Sequence, residues 1–168
     1  VRLYRNDAGV LVSVGAQVGM PQAGSHELRG LSWGDFDQDG DIDLLGGSTP
    51  TDKLTKVLRN DGGTRFVDVA AEIGLTIPGR SARQTNWVDY DNDGDLDLYM
   101  GNHWNANGDP APNRMFRNDG PDEGNAVGWL FSNAAPTHLG LNIADDSSTN
   151  GVAWADYDGD GDLDLYMA

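Results

Sequence analysis

Short segments of alternating apolar and polar residues recur along the chain, separated by turns rich in glycine, asparagine and aspartate. Four kinds of segment follow one another in a fixed order: one with a tryptophan, one through Leu-Tyr-Met, one through Leu-Arg-Asn-Asp and one through Phe-Val-Asp-Val. Short alternating runs between such turns predict β-strands, and no long apolar stretch has the period of a helix. Four short antiparallel strands in each repeat of about 50 residues are typical of a β-propeller blade.

The repeats divide the chain into two complete units and two partial ones. The complete units span residues 28–76 and 83–142, whereas residues 1–20 correspond to the last two strands of a unit and residues 149–168 to the first two. We therefore predict an all-β fold of four-stranded antiparallel propeller blades, two complete and two complementary half-blades. Because a half-blade leaves strand edges unpaired, we expect the terminal half-blades to pair with further blades of a longer chain or with another copy.

The negative charge of the chain is concentrated in three short segments. The formal net charge is −16. Five aspartates lie in each of residues 35–43, 89–97 and 156–164, so these segments hold 15 of the 27 acidic residues and none of the lysines or arginines. Such local acidity indicates a bound cation and argues against nucleic acid as a partner. No run approaches the ~20 apolar residues of a membrane span.

The spacing within these segments is that of a calcium loop. In Asp-x-Asp-x-Asp-Gly-x-x-Asp, the carboxylates at positions 1, 3 and 5 converge on an ion, glycine at position 6 permits a sharp turn, position 7 offers its backbone carbonyl, and position 9 closes the coordination sphere. Oxygen ligands alone select calcium over zinc or copper, and so many protein ligands disfavour magnesium. We expect about three calcium ions per chain, one for each loop. The predicted metal-site residues are Asp35, Asp37, Asp39, Asp41, Asp43, Asp89, Asp91, Asp93, Asp95, Asp97, Asp156, Asp158, Asp160, Asp162 and Asp164.

Two other interpretations of the loops are less consistent with the sequence. An EF-hand needs a bidentate carboxylate at the twelfth position of its loop. That position is occupied here by Gly46, Met100 and Met167, which cannot supply one. A solvated acidic turn would explain a single loop, but three copies with the same flanking residues favour a metal site.

Two longer motifs carry a resemblance to a known family. They are Trp-x-Asp-Tyr-Asp-x-Asp-Gly-Asp-Leu-Asp-Leu-Tyr-Met and, at residues 58–75, Leu-Arg-Asn-Asp-Gly-Gly-Thr-Arg-Phe-Val-Asp-Val-Ala-Ala-Glu-Ile-Gly-Leu. The chain resembles the FG-GAP/VCBS repeats of integrin-alpha-like β-propellers, most closely those of the cartilage acidic protein group and its bacterial relatives. The resemblance implies a calcium loop between the first two strands of each blade and a role in adhesion, ligand binding or scaffolding.

Two sets of residues outside the loops repeat in register. A tryptophan stands two residues before each loop, where packing between blades is favoured over a carbohydrate-stacking surface. An arginine recurs in the third strand, where we expect a structural ion pair or a backbone contact. The tryptophans are Trp33, Trp87 and Trp154, and the arginines are Arg5, Arg59 and Arg117.

Two segments depart from the repeat and could carry binding specificity. They are the insert at residues 102–113 and the tract at residues 120–128. For Trp104, in the insert, binding and simple loop packing are equally supported. The insert contains one acidic residue, Asp109, too few for the acid and base pair of a glycoside-cleaving enzyme.

The sequence therefore predicts a calcium-binding, non-enzymatic repeat module for adhesion, scaffolding or ligand binding. We expect it to be extracellular, secreted or on the cell surface, because loops of this type load where calcium is abundant. Its protein or carbohydrate ligand is not specified by the sequence. Two alternatives remain: a structural subunit of an extracellular fibre joined head to tail through its half-blades, and the scaffold of a secreted polysaccharide-acting enzyme.

Overall fold

Twelve β-strands form the regular structure of the described residues, and none of these residues is helical. The structure, a computed structural model, describes residues 2–21, 28–47, 55–75, 80–105, 111–124, 127–134 and 149–168. The strands are β1 (Tyr4–Asp7), β2 (Val10–Ser13), β3 (Arg29–Gly34), β4 (Asp43–Gly47), β5 (Lys56–Asp61), β6 (Arg65–Asp68), β7 (Arg80–Val88), β8 (Asp97–Asn105), β9 (Arg114–Pro121), β10 (Trp129–Asn133), β11 (Val152–Ala155) and β12 (Asp164–Met167).

The strands form two four-stranded sheets and two hairpins. The sheets run β3-β4-β5-β6 and β7-β8-β9-β10, while β1-β2 and β11-β12 are separate two-stranded sheets. All neighbouring strands are antiparallel and consecutive in sequence. The prediction of two complete blades and two complementary half-blades is therefore confirmed. The limits of the four units along the sequence remain predictions.

The second strand of each complete sheet is buried on both faces. Leu44 and Leu45 in β4, and Leu98 and Tyr99 in β8, have almost no exposed surface. Adjacent residues of a strand point to opposite faces, so burial of both faces requires a neighbouring layer on each side. Those layers are the next blade on one side and the preceding blade or hairpin on the other.

Buried turns after β6 and after β2 join successive sheets. Val69, Ile73 and Leu75 are buried in the turn that follows β6. The carbonyl of Ile73 accepts a hydrogen bond from the Phe131 amide in β10 at 3.0 Å. The turn after β2 repeats this contact, because the Val18 carbonyl accepts from the Phe66 amide in β6 at 2.8 Å. Each turn thus ties its sheet to the outer strand of the next one.

The first strands β3 and β7 pack closely against each other. A Cβ atom added to Gly34 would lie 2.6 Å from Cδ1 of Trp87, so glycine is required there for the indole to approach. The Trp87 ring stacks on Phe36 with centroids 5.8 Å apart and an angle of 13° between the planes. The Thr85 hydroxyl donates to the Gly30 carbonyl. This interface builds the main core between the two blades.

The prediction that the repeated tryptophans pack between blades holds for two of the three. Trp87 packs as described, and Trp154 contacts Tyr99 of the preceding blade edge to face at 5.7 Å. Trp33 is different, because its side chain is 50% exposed and its ring contacts Phe66 of its own sheet at 6.3 Å. Within the described residues, the Trp33 ring therefore does not show the predicted packing between blades.

The described residues contain no helix that is both long enough and apolar enough to cross a membrane.

Candidate metal centre

Each acidic loop connects the first two strands of a sheet. The loops lie between β3 and β4, between β7 and β8, and between β11 and β12. The twelfth loop position, where an EF-hand has its glutamate, falls within the second strand at Gly46, Met100 and Met167. The loops therefore lie in hairpins, and the EF-hand interpretation is excluded for them.

The first aspartate of each loop organises the turn through backbone hydrogen bonds. The two oxygens of Asp35 accept from the amides of Asp39 and Gly40, both at 3.1 Å. The carboxylate at position 5 also accepts the amide at position 7, as in the 2.8 Å bond from Asp41 to Asp39. The other two loops repeat these bonds at 2.9–3.1 Å around Asp89 and Asp156. The three loops thus share one backbone conformation.

Two residues of each loop adopt left-handed backbone conformations. The glycine at position 6 has a φ of 93–98° in all three copies, which confirms its predicted role in the turn. Position 4 is also left-handed, with φ values of 54° at Gln38, 57° at Asn92 and 78° at Gly159. The left-handed conformation of position 4 was not predicted from the sequence. Asparagine and glycine at this position were the available signal, since both tolerate positive φ.

The aspartate at position 9 is the most buried carboxylate of the loop in each complete blade. Asp43 and Asp97 have no exposed surface. Asp43 accepts the Phe36 amide at 3.2 Å and the Asn60 amide at 2.8 Å, and Asp97 makes the equivalent pair of bonds. Burial raises the pKa of both carboxyls to about 7, and the backbone amides oppose this by stabilising the charged form. Asp164, in the half-blade without a third strand, remains partly exposed.

In each loop, the structure brings three of the five predicted metal-site aspartates close together. In each loop, one oxygen from each of three carboxylates lies within 4.8 Å of the others. The groups are Asp35, Asp37 and Asp39; Asp89, Asp91 and Asp97; and Asp156, Asp158 and Asp164. The ligand roles themselves remain predictions, including the backbone carbonyls of Asp41, Asp95 and Asp162.

An unpartnered oxygen in the first loop fits a metal ligand. Oδ1 of Asp37 is buried and has no hydrogen-bond partner among the described residues. Burial, and then the nearby charges of Asp39 and Asp35, raise the pKa of the Asp37 carboxyl. A buried carboxylate oxygen without a donor is costly unless a cation faces it. The oxygen donors in this loop match the ligands that calcium prefers.

Two asparagines in the third strands, which lie outside the loops, donate side-chain hydrogen bonds to loop carbonyls. The side-chain amide of Asn60 donates to the Ile42 carbonyl at 3.2 Å, and that of Asn118 donates to the Leu96 carbonyl at 3.3 Å. Asn118 also donates to the carbonyl of Phe36, in the loop of the preceding blade, at 3.1 Å. A role was predicted from the sequence for the arginine of the repeated Arg-Asn-Asp but none for its asparagine. Its recurrence in register was the available sign of such a role.

Side-chain amides at position 4 connect consecutive loops. Nε2 of Gln38 donates to the Gly94 carbonyl at 3.0 Å and to Oδ1 of Asp95 at 2.7 Å. Asn92 makes the same contacts with the third loop, to the Gly161 carbonyl at 3.3 Å and to Asp162 at 2.9 Å. Each amide therefore fixes the peptide next to position 7 of the following loop. These contacts span 56–57 residues for Gln38 and 69–70 for Asn92, so no local sequence pattern could reveal them.

The repeated arginines form the expected ion pairs. Each pairs with the aspartate two residues later, on the same face of its strand. The Arg5–Asp7 distance is 2.6 Å, the Arg59–Asp61 distance is 2.9 Å, and Nε of Arg117 lies 2.7 Å from Asp119. Exposed pairs of this kind contribute only about 0–1 kcal/mol. Their role is structural, as predicted.

The predicted binding role of the insert at residues 102–113 involves residues that the structure describes only in part. The side chain of Trp104, and Asp109, lie outside the described part of the chain. The two ends of the insert are described, and they are joined by side-chain hydrogen bonds. Oδ1 of Asn113 accepts the Asn102 amide at 2.8 Å, and Nδ2 of Asn113 donates to the Thr149 hydroxyl at 2.8 Å.

Successive four-stranded blades, each with an acidic loop between its first two strands, define a repeat protein of the β-propeller type. Residues 35–100 match the FG-GAP-like repeat family. The chain is also similar to cartilage acidic protein 1 from three animals. The identity is 31% with the Xenopus tropicalis protein over 99% of this chain, 28% with the Homo sapiens protein over 95%, and 28% with the Mus musculus protein over 99%. The family resemblance seen in the sequence is confirmed.

The chain is much shorter than these relatives. It spans 24% of the Xenopus tropicalis and Mus musculus proteins and 23% of the Homo sapiens protein. The similarity therefore concerns about a quarter of the length of each relative.

Proposed function

We propose that this chain is a calcium-binding, non-enzymatic repeat module of an extracellular protein, in which each ion fixes the loop between the first two strands of a blade. The observation that supports this most strongly is the threefold recurrence of one loop conformation with three carboxylate oxygens within 4.8 Å of one another. Without a cation, like charges at such distances repel each other. One acidic turn could tolerate this, but three equivalent loops with the same backbone hydrogen bonds favour a common ligand.

The proposed ion acts mainly through the free energy of folding. Bound calcium neutralises the carboxylates at positions 1, 3, 5 and 9 and gives the buried Asp37 oxygen a partner. Asp43 and Asp97 use one oxygen for the loop and the other for the third strand, so they transmit the order of the loop into the sheet. Binding to the folded state alone stabilises it by linkage.

The same loops support the proposed extracellular location. Extracellular calcium modules bind at roughly 10⁻⁴–10⁻³ M, a range that cytosolic calcium does not reach. The similarity to cartilage acidic protein 1 supports a role as a module of a larger protein. We propose adhesion, scaffolding or the binding of a protein or carbohydrate ligand as that role.

A calorimetric calcium titration of chelator-stripped protein tests the proposal. The expected stoichiometry is about three ions per chain, one for each acidic loop. A magnesium titration is the control, and it should give weaker binding because magnesium retains its waters. Absence of calcium binding to folded protein would overturn the proposed function, as would equal binding of the two ions.

A further inference from the structure

A side-chain amide joins the first two acidic loops from a residue that lies between two proposed metal ligands. Gln38 occupies position 4 of the first loop, between Asp37 and Asp39. Its Nε2 donates to the Gly94 carbonyl at 3.0 Å and to Oδ1 of Asp95 at 2.7 Å, both in the second loop. Both neighbours of Gln38 belong to the three-carboxylate group of the first loop. An ion bound there would therefore hold Gln38 in place from either side.

The bonds from Gln38 reach the part of the second loop whose backbone carbonyl is expected to face the ion. Gly94 and Asp95 are positions 6 and 7 of that loop, and the carbonyl of position 7 is a predicted ligand. The Asp95 side chain lies outside the three-carboxylate group of its loop. The amide therefore orients the peptide next to a ligand without competing for any of the three grouped carboxylates.

The buried side chain of Asn118, in the third strand β9, is a second bridge between the same two loops. Its Nδ2 donates to the Phe36 carbonyl at 3.1 Å and to the Leu96 carbonyl at 3.3 Å. Phe36 is position 2 of the first loop and Leu96 is position 8 of the second, so each accepting residue lies next to two predicted metal-site aspartates. Asn118 has no exposed surface. Its amide thus holds both loops in a fixed relation away from water.

The second and third loops are joined from position 4 in the same way. Nδ2 of Asn92 donates to the Gly161 carbonyl at 3.3 Å and to Oδ1 of Asp162 at 2.9 Å. The shorter asparagine thus makes the contacts that glutamine makes from the first loop. Asp162, like Asp95, lies outside the three-carboxylate group of its loop. The bridge from position 4 is therefore present at both junctions between the three loops.

We propose that these bridges make calcium binding by consecutive loops positively cooperative, so that an ion in one loop raises the affinity of the loop to which it is bridged. The inference rests on the proposed calcium-binding function. An ion in the first loop orders position 4, and the amide then holds positions 6 and 7 of the second loop. The second ion meets a loop that is already partly ordered, so its binding costs less conformational entropy. By linkage, an ion in the second loop favours the first to the same degree.

Electrostatic interaction between the loops, taken alone, predicts the opposite sign of cooperativity. An ion in one loop cancels part of the negative charge that attracts the next ion, so the second ion would bind more weakly. Salt reduces this effect, because exposed charges are screened over about 8 Å at physiological ionic strength. Positive cooperativity at that ionic strength therefore distinguishes coupling through hydrogen bonds from a purely electrostatic interaction.

A calcium titration of chelator-stripped protein followed by nuclear magnetic resonance tests the coupling loop by loop. The amides of Gly40, Gly94 and Gly161 report on one loop each, because each donates to the first aspartate of its own loop at 3.0–3.1 Å. In the wild-type chain, all three binding curves should be steeper than that of an independent site. Gln38→Gly should lower the coupling between the first two loops by about fivefold, the low end of the usual range, because the bonds that it removes are exposed.

The chain itself supplies the control variants. Gly159 occupies position 4 of the third loop with a φ of 78°, so glycine is compatible with the loop backbone. Gln38→Asn is the matched control and should keep the coupling, since Asn92 makes the same contacts from position 4. Asn92→Gly should instead weaken the coupling of the third loop, reported by Gly161, and leave the coupling seen at Gly40 unchanged.

Two outcomes would overturn the coupling and leave the proposed function standing. Wild-type loops that bind calcium independently, or with negative cooperativity, would show that the bridges do not transmit order from loop to loop. Steep curves that Gln38→Gly leaves unchanged would show that the cooperativity arises elsewhere, as in folding of the whole chain. A chain in which none of the three glycine signals responds to calcium would instead overturn the proposed function, and the coupling with it.

Discussion

Replacing Asp93 by alanine should destabilise the protein in calcium and have little effect in chelator. Asp93 occupies position 5 of the second loop, and its carboxylate accepts one hydrogen bond, from the Asp95 amide at 2.9 Å. That bond is exposed, so without an ion its loss should cost no more than about 1 kcal/mol. Removal of one negative charge from an acidic loop should offset part of this cost.

The expected loss in calcium follows from binding linkage. At a free calcium concentration of about 100 times Kd, one site stabilises the folded state by about 2.7 kcal/mol. For a chain of this size, 1 kcal/mol shifts the Tm by about 2–4 °C. Loss of the second site should therefore lower the Tm by about 5–11 °C in calcium. In chelator the shift should be a few degrees at most.

Thermal unfolding followed by circular dichroism, with and without calcium, measures both values. Asp122→Ala is a matched control, because Asp122 also accepts one exposed amide bond from two residues later, at 2.9 Å. It removes the same charge and a similar hydrogen bond outside the loops. It should have the same small effect in both conditions. Equal losses of Tm for Asp93→Ala with calcium and with chelator would refute the assigned role.

Three further predictions follow from the contacts between blades and from the buried carboxyls. Gln38→Gly removes the amide that reaches the second loop while tolerating positive φ, so calorimetry should show weaker calcium binding at one site and an unchanged stoichiometry; unchanged affinities would contradict the coupling. Because burial raises the pKa of Asp43 and Asp97 to about 7, the stability in chelator should be greatest near pH 4 and decline as the pH rises through about 7; a Tm that rises over this interval would reverse the sign. Trp87→Ala should cost about 3–5 kcal/mol in urea unfolding, whereas Trp33→Ala, at a half-exposed position, should cost clearly less; equal costs would contradict the difference in packing.

The spacing of residues in the sequence was sufficient to predict the features that lie within one loop or one strand. The carboxylates of each loop lie within nine residues, so the turn at Gly40 and its repeats brings them together whatever surrounds them. The pairing of Arg59 with Asp61 follows from the two-residue period of a strand. The order of strands also followed from the sequence, because consecutive antiparallel strands need only short turns.

The contacts between blades could not be predicted from local spacing in the sequence. Asn118 reaches the Phe36 carbonyl across 82 residues, and Gln38 reaches Asp95 across 57. No short motif specifies which side chains meet at such separations. The distances depend on how closely β3 and β7 approach, and that approach is possible because Gly34 leaves room for an indole ring.

The sequence by itself determined the strands, the repeats and the composition of each acidic loop, because these depend on residues close together in the chain. Only the tertiary structure decided what each repeated residue does. Trp33 and Trp87 occupy the same repeat position, yet Trp87 is covered by Phe36 while Trp33 is half exposed beside an apolar pocket. The physical reason is that a side chain in a repeat is buried by the neighbouring blade, and only the packing of sheets shows where that neighbour lies.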